Sequence, residues 1–271
     1  MRILAVIVSY YPDRDLLRKD LDSFVDHVDE VIIWENTPAE ERLAYRLDDC
    51  VKVRYMGTGQ NIGISKALNH VRKYAIENGF DALLTMDQDS VWEGFGSFAD
   101  TVSREDAPFG IYGPAVYSEA IDNEFTEAFT LITSGMLVPV EVFRKIGGYE
   151  EDFFVDGIDL DFCCKAHDAG IQVWTVGHCR LVQKFGGKRK VPFLGRYPEV
   201  YDYPPSRLYG TFRSQTIINR KYRSAKERSG NFYRHTFFYR VPKILLFEKN
   251  GWSKVRAIIR GIKDGKAAKI D

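Results

Sequence analysis

The sequence lacks the short signatures that mark several enzyme and membrane-protein classes. It contains neither a G-x-S-x-G segment nor a P-loop, so it gives no support to a serine hydrolase or a P-loop NTPase. The five histidines form no H-E-x-x-H motif. No apolar run approaches the roughly 20 residues of a spanning helix, and the N-terminal run MRILAVIVSYYP also lacks a small-residue cleavage site. We therefore expect that run to form a buried strand.

Cysteine is also scarce, and its spacing carries no metal or disulfide pattern. Cys50, Cys163, Cys164 and Cys179 form no C-x-x-C pair, which predicts neither a zinc knot nor a disulfide framework. The chain also has no internal repeat and no low-complexity linker. Together these features favour a globular protein of the reducing cytosol.

The net charge of zero hides a strong imbalance along the chain. Residues 1–179 hold 15 Lys and Arg against 32 Asp and Glu, whereas residues 180–271 hold 23 against 6, or about −17 and +17. A basic C-terminal third indicates an anionic partner, such as a phospholipid surface or a pyrophosphate-linked substrate. Nucleic acid is disfavoured, because the acidic first two-thirds would repel a phosphate backbone.

Three apolar runs, ILAVIVSYY, EVIIWENT and DALLTMDQDS, alternate with two segments of helical periodicity. That alternation is typical of βαβ units and predicts an α/β fold built on a parallel sheet. A further strand is expected in GIYGPAV, helices in VEVFRKIGG and DGIDLDFCCKAHDAG, and two helices in the tail segments FFYRVPKILLFEK and WSKVRAIIRGIKDGK. We divide the chain into a catalytic domain, 1–187, whose acceptor half starts near residue 110, and a basic extension, 188–271.

Polar residues follow the predicted strands, and the carboxyl ends of parallel strands form the ligand crevice of such sheets. Ser9 and Tyr10, Glu35 to Thr37, and Asp87 to Asp89 should therefore converge. Asp87 and Asp89 point to the same side of an extended segment, and their oxygens suit Mg²⁺ or Mn²⁺. The alternative is a solvated acidic turn.

Three further segments carry candidate chemistry. Gln60 to Gly63 precedes a helix, so its backbone could receive a phosphate or ribose, unless Asn61 is an ordinary cap. The acidic residues Asp152, Asp156, Asp159 and Asp161 could supply a general base, although one of them must cap the helix. Thr133, Ser134 and Gly135 could contact a sugar or allow a close helix approach.

Taken in order, VIVSYYP, the Glu35-Asn36-Thr37 strand end, QNIGISKALN, MDQDS, TSGMLVP and FFVDGIDLDFCCKAHDAG resemble glycosyltransferase family 2, especially its bacterial rhamnosyltransferase-type members. The resemblance covers about residues 3–187. It implies a GT-A fold, a Rossmann-like and mostly parallel sheet with flanking helices, followed here by the basic helical extension.

The resemblance also implies roles for individual residues. Ser9, Tyr10 and Glu35 would line the nucleoside pocket, and Asn61 and Gly63 would approach the ribose and diphosphate. Asp87 and Asp89 would form the metal site, in which Asp87 would touch the ribose or a metal-bound water and Asp89 would ligate the metal directly. Asp156 would be the base of a single in-line displacement with inversion, with Asp159 as the second choice.

This chain departs from the family pattern at two places and resembles it in one more. Gly157 stands where many relatives have a second acidic residue. Gln183 stands in the segment where relatives place a late metal-site histidine, and His178 is the alternative donor. The segment around Arg207, Tyr209 and Arg213 resembles the rhamnosyltransferase-type extension near the acceptor.

The sequence thus predicts an inverting, metal-dependent glycosyltransferase that moves a sugar to a hydroxyl of a bacterial cell-surface polysaccharide or lipid-linked glycan. The lead donor is dTDP-rhamnose, followed by UDP-galactose or UDP-glucose. The competing hypotheses are a nucleotidyltransferase of sugar-nucleotide synthesis and a non-catalytic nucleotide-sugar-binding module. We further expect peripheral contact with an anionic membrane on the inner face of the plasma membrane, and a homodimer through the C-terminal extension.

Overall fold

The computed structural model describes residues 1–41, 46–47, 50–116, 121–153, 155–183, 189–192, 197, 199–228 and 232–270. The chain divides into two units by its internal contacts. The first contains residues 1–154 and 158–184, and the second contains residues 155–157 and 185–271. The domain boundary expected at 187/188 lies outside the described residues and stays a prediction.

The first unit is built on one sheet, in which nine strands of the described residues pair. They are β1 Ile3–Ser9, β2 Glu30–Glu35, β3 Val53–Met56, β4 Ala82–Asp87, β5 Ser90–Glu93, β6 Gly110–Ala115, β7 Phe125–Glu127, β8 Met136–Pro139 and β9 Gln172–Gln183. Their order is β3-β2-β1-β4-β8-β6-β9-β5, with β7 also on β9. Six strands run in one direction, and β5, β7 and β8 are antiparallel. The predicted mostly parallel sheet is confirmed.

Helices of the described residues cover the sheet, and all but the one over Phe95–Val102 lie in segments where the sequence predicts a helix. They are α1 Arg14–Asp22, α2 Ile64–Glu77, α3 Phe95–Val102, α4 Val140–Ile146 and α5 Ile158–Asp168. Asp13 begins α1 by accepting hydrogen bonds from two backbone N–H groups of the first turn. The inner face of α1 buries Leu17 and Leu21 against the sheet. The two βαβ-type crossovers are therefore confirmed.

Strand register brings the polar strand ends to one edge of the sheet. Ser9 of β1 is level with Glu35 of β2, and Val8 is level with Asp87 of β4. Residues directly opposite on neighbouring strands lie about 5 Å apart, so this register alone gathers the three polar positions.

The second unit is helical and basic, as expected for the extension. It contains a short hairpin, β10 Arg189–Lys190 with β11 Glu199–Val200, and the helices α6 Pro205–Lys221, α7 Arg223–Arg228, α8 Phe232–His235, α9 Val241–Phe247 and α10 Gly251–Ala267. A π-helical stretch, Thr236–Arg240, joins α8 to α9. The helices expected in the two tail segments are present as α9 and α10, whereas the long helix α6 was not predicted.

Helices α6 and α10 pack closely because two glycines of α10 face α6. A Cβ at Gly261 would lie 2.5 Å from the carbonyl oxygen of Tyr209, and a Cβ at Gly265 would lie 2.7 Å from that of Arg213. Beside these glycines, Ile258 and Ile262 of α10 pack with Phe212 of α6 in an apolar core. Within the described residues, no helix has the length and apolar character needed to cross a bilayer.

Cys50, Cys163, Cys164 and Cys179 form no disulfide bond with one another.

Candidate active site

The site is centred on the turn that follows β4. The Gln88 side chain ties this turn to the end of β1, because its Oε1 accepts from the Tyr10 backbone N–H at 2.7 Å and its Nε2 donates to the Tyr10 carbonyl at 3.1 Å. Asp87 and Asp89, on either side of Gln88, are thereby fixed beside the β1 strand end. The structure brings together the residues that topology predicts to converge.

Burial and mutual repulsion shape the electrostatics of the two carboxylates. Burial first, and then the charge of Asp89, raises the pKa of Asp87 to about 6, and Asp159 adds to the rise. Burial also raises the pKa of Asp89. Two carboxylates with raised pKa values at one edge of the sheet attract a cation. Leaving their negative charges without a counter-ion costs free energy.

Sequence reasoning missed a third carboxylate, Asp20 of α1. Its side chain is fully buried, and neither oxygen has a hydrogen-bond partner among the described residues. Burial, with the charges of Asp87 and Asp89 adding to it, raises the pKa of Asp20 well above its usual range. A signal was present, since position 20 lies on the same helical face as Leu17, Leu21 and Phe24, where an acidic residue is out of place.

Gln183 is the residue of the late segment that reaches the carboxylate pair. Its Nε2 donates to Asp87 Oδ2 at 2.6 Å, and its Oε1 is buried without a hydrogen-bond partner among the described residues. Strand β9 pairs with β5 so that Gln183 is opposite Ser90 and Arg180 is opposite Glu93. His178 lies beyond the other end of this pairing, in an irregular stretch of β9 where its φ is 56°. Of the two alternatives, only Gln183 contacts the site.

The Thr133-Ser134-Gly135 segment is hydrogen-bonded to β4, including Asp87 at its end. The Ser134 hydroxyl accepts from the Asp87 backbone N–H at 3.0 Å and donates to the Ser90 hydroxyl at 2.8 Å. Thr85 of β4 donates to the Thr133 carbonyl and receives a hydrogen bond from the Gly135 N–H. These contacts hold β4 and its turn in place. Direct contact of this segment with an acceptor sugar stays a prediction.

The expected nucleoside residues lie at the ends of β1 and β2. Ser9 is buried and donates to the Trp34 carbonyl at 3.2 Å. Glu35 is buried and pairs with Arg46, with 3.2 Å between Arg46 Nη2 and Glu35 Oε2. The Tyr10 ring is about half exposed, so it is free to stack on a flat ligand.

The loop before α2 is fixed by two asparagines. Asn36 donates to the Gly63 carbonyl at 3.2 Å, which binds the loop to the end of β2. Asn61 accepts from the Gly63 N–H at 3.0 Å, an interaction typical of an Asx turn. Gly63 itself has a φ of 82° and precedes Ile64, the first helical residue. The loop thus presents a helix N-terminus at the β2 edge, as an anion-binding segment would.

The candidate bases fall into different units. Asp159 lies in the first turn of α5 in the first unit and accepts from the Leu160 N–H at 2.9 Å. Asp156 belongs to the second unit, where Arg207 Nε of α6 lies 3.5 Å from its Oδ1. Of the other acidic residues of the cluster, Asp152 is exposed and Asp161 is buried in α5.

The three predicted acceptor residues of α6 differ in their surroundings. Arg207 pairs with Asp156 and stacks on Tyr203, with its guanidinium 4.4 Å from the ring centroid. Tyr209 donates to Asp264 of α10 at 2.9 Å, so its hydroxyl ties two helices together. Arg213 is half-buried, and its backbone packs against the glycine face of α10. Of the three, Arg207 is the residue whose side chain pairs with a candidate base, Asp156.

The carboxylate turn and its neighbours offer oxygen donors for a metal ion. Within the described residues, no group of three or more His, Cys, Asp or Glu side chains is arranged to hold an ion. The donors at hand are the carboxylates of Asp87 and Asp89 and the unpartnered amide oxygen of Gln183. Such an oxygen set fits a hard divalent cation that completes its shell with ligand phosphate and water.

Comparison with known proteins identifies similar sequences and folds. No protein-family model matches the chain. The dTDP-rhamnosyl transferase RfbF of Shigella flexneri is 27% identical over 247 residues, which cover 81% of this chain and 80% of that protein.

Two solved structures share the fold. GalNAc-T7, crystallised with UDP, GalNAc and Mn²⁺, superposes with a TM-score of 0.63 at 11% identity and covers 100% of this chain, which spans 55% of the length of GalNAc-T7. The 1–349 segment of S. aureus TarS with UDP-GlcNAc has a TM-score of 0.59 at 13% identity, covering 98% of this chain and 83% of that segment. At such identities the likeness shows the fold alone, and the predicted GT-A fold is confirmed.

Proposed function

We propose that this chain, a glycosyltransferase of the GT-A fold with sequence similarity to a bacterial rhamnosyl transferase, passes one sugar from a nucleoside diphosphate to a glycan hydroxyl. The reaction is inverting and metal-dependent. The lead donor is dTDP-rhamnose, because the curated relative is named for it, and the acceptor is a bacterial cell-surface polysaccharide or a lipid-linked intermediate. The observation that carries the proposal is the pair formed by the half-buried Asp87 at the end of β4 and the more exposed Asp89 in the following turn, whose carboxyl pKa values are both raised.

Different features of the site match different parts of the donor. The N-terminus of α2, which follows Gly63, suits the ribose and diphosphate, and the half-exposed ring of Tyr10 suits the nucleobase. Asp89 and Asp87 would hold Mg²⁺ or Mn²⁺, and the Gln183 amide oxygen would be a third donor. When bound, the ion neutralises the charge that develops on the departing nucleoside diphosphate.

The proton of the attacking hydroxyl needs an acceptor, and Asp156 is the proposed one. The acceptor oxygen bonds to the anomeric carbon, the bond from that carbon to the phosphate oxygen breaks, and the proton passes to the Asp156 carboxylate. The ion pair with Arg207 fixes the orientation of this carboxylate. Asp159 is the alternative base.

The proposal is tested by titrating the full-length chain with dTDP-rhamnose, UDP-galactose and UDP-glucose in a calorimeter, with Mn²⁺ or with EDTA. Release of nucleoside diphosphate is then measured with a lipid-linked glycan extract as acceptor. Asp89→Asn should lose Mn²⁺-dependent donor binding, and the exposed Asp122→Asn should retain it. Retention of donor affinity and turnover by Asp89→Asn would remove the metal assignment.

The competing hypotheses give different products. Release of pyrophosphate from a nucleoside triphosphate and a sugar 1-phosphate would instead establish a nucleotidyltransferase. Donor binding without release of nucleoside diphosphate to any acceptor would indicate a binding module.

A further inference from the structure

The C-terminal helices expose an unusual concentration of large apolar side chains. Seven lie between residues 237 and 259, and Phe238 and Trp252 are each 72% exposed. The others are Phe237, Tyr239, Leu245, Leu246 and Ile259. Exposed apolar groups gathered in one short segment mark an interaction surface rather than ordinary surface composition.

Helix α10 has two distinct faces. Val255, Ile258 and Ile262 are buried in the core that α10 forms with α6. The opposite side carries Trp252, Arg256, Ile259 and Lys263, all exposed. Their spacing of four, three and four residues places them in one stripe along the helix.

The stripe continues onto the end of α9. A Cβ at Gly251 would lie 3.5 Å from Leu245 Cδ2, so the exposed Leu245 side chain abuts the residue that precedes Trp252. Leu246, next to it, is 66% exposed. We call Leu245, Leu246, Trp252, Arg256, Ile259 and Lys263 the docking face.

The docking face is positively charged, because the acidic residues near it, Glu248 and Asp264, already pair with other side chains. Glu248 pairs with the buried Lys254 at 2.9 Å, and Asp264 receives the Tyr209 hydroxyl and lies 3.6 Å from Arg260. Arg256 and Lys263 make no ion pair with any other residue that the structure describes. The docking face therefore combines apolar groups with uncompensated cations.

A groove of about 420 Å³ adjoins the stripe, and its mostly apolar wall carries a few polar groups. Arg256 and Arg260 line it, together with the Ser206 and Ser253 residues. Guanidinium and hydroxyl groups are the donors that bind phosphate oxygens. The groove is thus suited to a phosphate head group beside the apolar side chains.

We propose that the docking face binds the surface of an anionic phospholipid bilayer. Apolar and aromatic side chains would enter the interface, while Arg256 and Lys263 contact lipid phosphates, as in interfacial amphipathic helices. A second copy of the chain fits less well, since a two-fold contact would place the same cations against each other. This inference is independent of the proposed catalytic reaction.

The test is co-sedimentation of the full-length chain with vesicles of phosphatidylcholine alone or mixed with phosphatidylglycerol, at low and high salt. We expect binding to the mixed vesicles only, weakened by salt because screening shortens the range of the attraction. The double variant Arg256→Gln, Lys263→Gln should bind about 25-fold more weakly, at about fivefold for each charge removed. Arg144→Gln, an exposed change on α4 of the other unit, should bind like the wild type.

Tryptophan fluorescence gives a second readout. Trp34 and Trp92 are buried and Trp174 is half-buried, so Trp252 is the most exposed of the four indoles. Its emission should shift to shorter wavelength on binding mixed vesicles, and Trp252→Phe should abolish that shift. All substituted positions are exposed, and unchanged thermal unfolding will show that the variants are folded.

Three results would overturn the proposal. The first is equal binding to neutral and anionic vesicles, or none to either. The second is unchanged vesicle affinity of the double variant. The third is concentration-dependent dimerisation that the double variant or Trp252→Phe alters, without any response to vesicles, which would assign the face to a second copy of the chain.

Discussion

Replacing Asp87 with Asn should make the metal-free protein more stable above neutral pH while removing its function. Asp87 is half-buried, and its pKa is raised from the usual 3.8 to about 6, so the folded state holds its proton more tightly than the unfolded chain does. The stability this gives is complete below about pH 4 and is lost as the pH rises through about 6. The rise corresponds to about 3 kcal/mol at 25 °C, the upper estimate for the gain on removing the charge.

The local contacts allow this exchange. An Asn side chain has the shape of Asp, its oxygen can still accept from Gln183 Nε2, and its new N–H₂ can donate to the unpartnered Gln183 Oε1. The backbone N–H at position 87 keeps its bond to Ser134. The substitution therefore removes a charge without leaving a donor or acceptor unsatisfied.

The measurement is urea unfolding in EDTA at about pH 8 and about pH 4, with the exposed Asp122→Asn as the control. Asp87→Asn should unfold at higher urea than the wild type at the higher pH, and the difference should shrink towards zero at the lower pH. Adding Mn²⁺ and dTDP should then stabilise the wild type alone, since a ligand stabilises only the state that binds it. The reasoning fails if Asp87→Asn shows no gain in EDTA, or an equal gain at both pH values.

Three further predictions concern single residues. Asp156→Asn should lower turnover by about 10²–10⁴-fold with donor affinity unchanged, the usual range for losing a general base; if Asp159→Asn has that effect and Asp156→Asn does not, the base is Asp159. Gln183→Ala should weaken Mn²⁺ binding in the presence of dTDP, followed by electron paramagnetic resonance, and Gln183→Glu should retain it; equal affinity in both would exclude an oxygen donor at this position. Gly157→Ala should lower the free energy of unfolding by more than about 1 kcal/mol, because φ is 95° and the added Cβ would lie 2.8 Å from a side chain of α6. Gly170→Ala, with a φ of 72° and open space around it, should cost less. Equal losses for the two variants in a urea titration would show that the clash at position 157 contributes nothing.

The central sheet and the carboxylate turn could be predicted because their signals are local. β1, β2 and β4 are apolar runs that end in polar residues, and the ordering rule for parallel sheets then brings their ends together. Helices α9 and α10 were likewise visible from composition. Each of these features depends on a stretch of fewer than about twenty residues, within which periodicity is informative.

The features that were missed or left open depend on contacts between distant residues. The sequence left Gln183 and His178 as alternatives, because the contact of Gln183 with Asp87 spans 96 residues and depends on a pairing of β5 with β9 that neither strand's sequence specifies. Asp20 stands out in the sequence as an acidic residue on the apolar face of α1, but its proximity to Asp87 and Asp89 depends on how α1 packs on the sheet. Helix α6 carries Gly210 and many aromatic and β-branched residues, so its helical propensity is weak and its packing on α10 determines it.

Residues 155–157 belong to the second unit, although the residues on either side of them belong to the first. They leave the first unit, join the second, and return, so the polypeptide enters the C-terminal unit twice. A protein shortened at residue 184 would keep Asp156 yet lose Arg207 and the rest of α6, against which this segment is held. The two units are therefore not interchangeable modules, and neither a shortened expression product nor a fusion that exchanges the tail can be expected to preserve the geometry around Asp156.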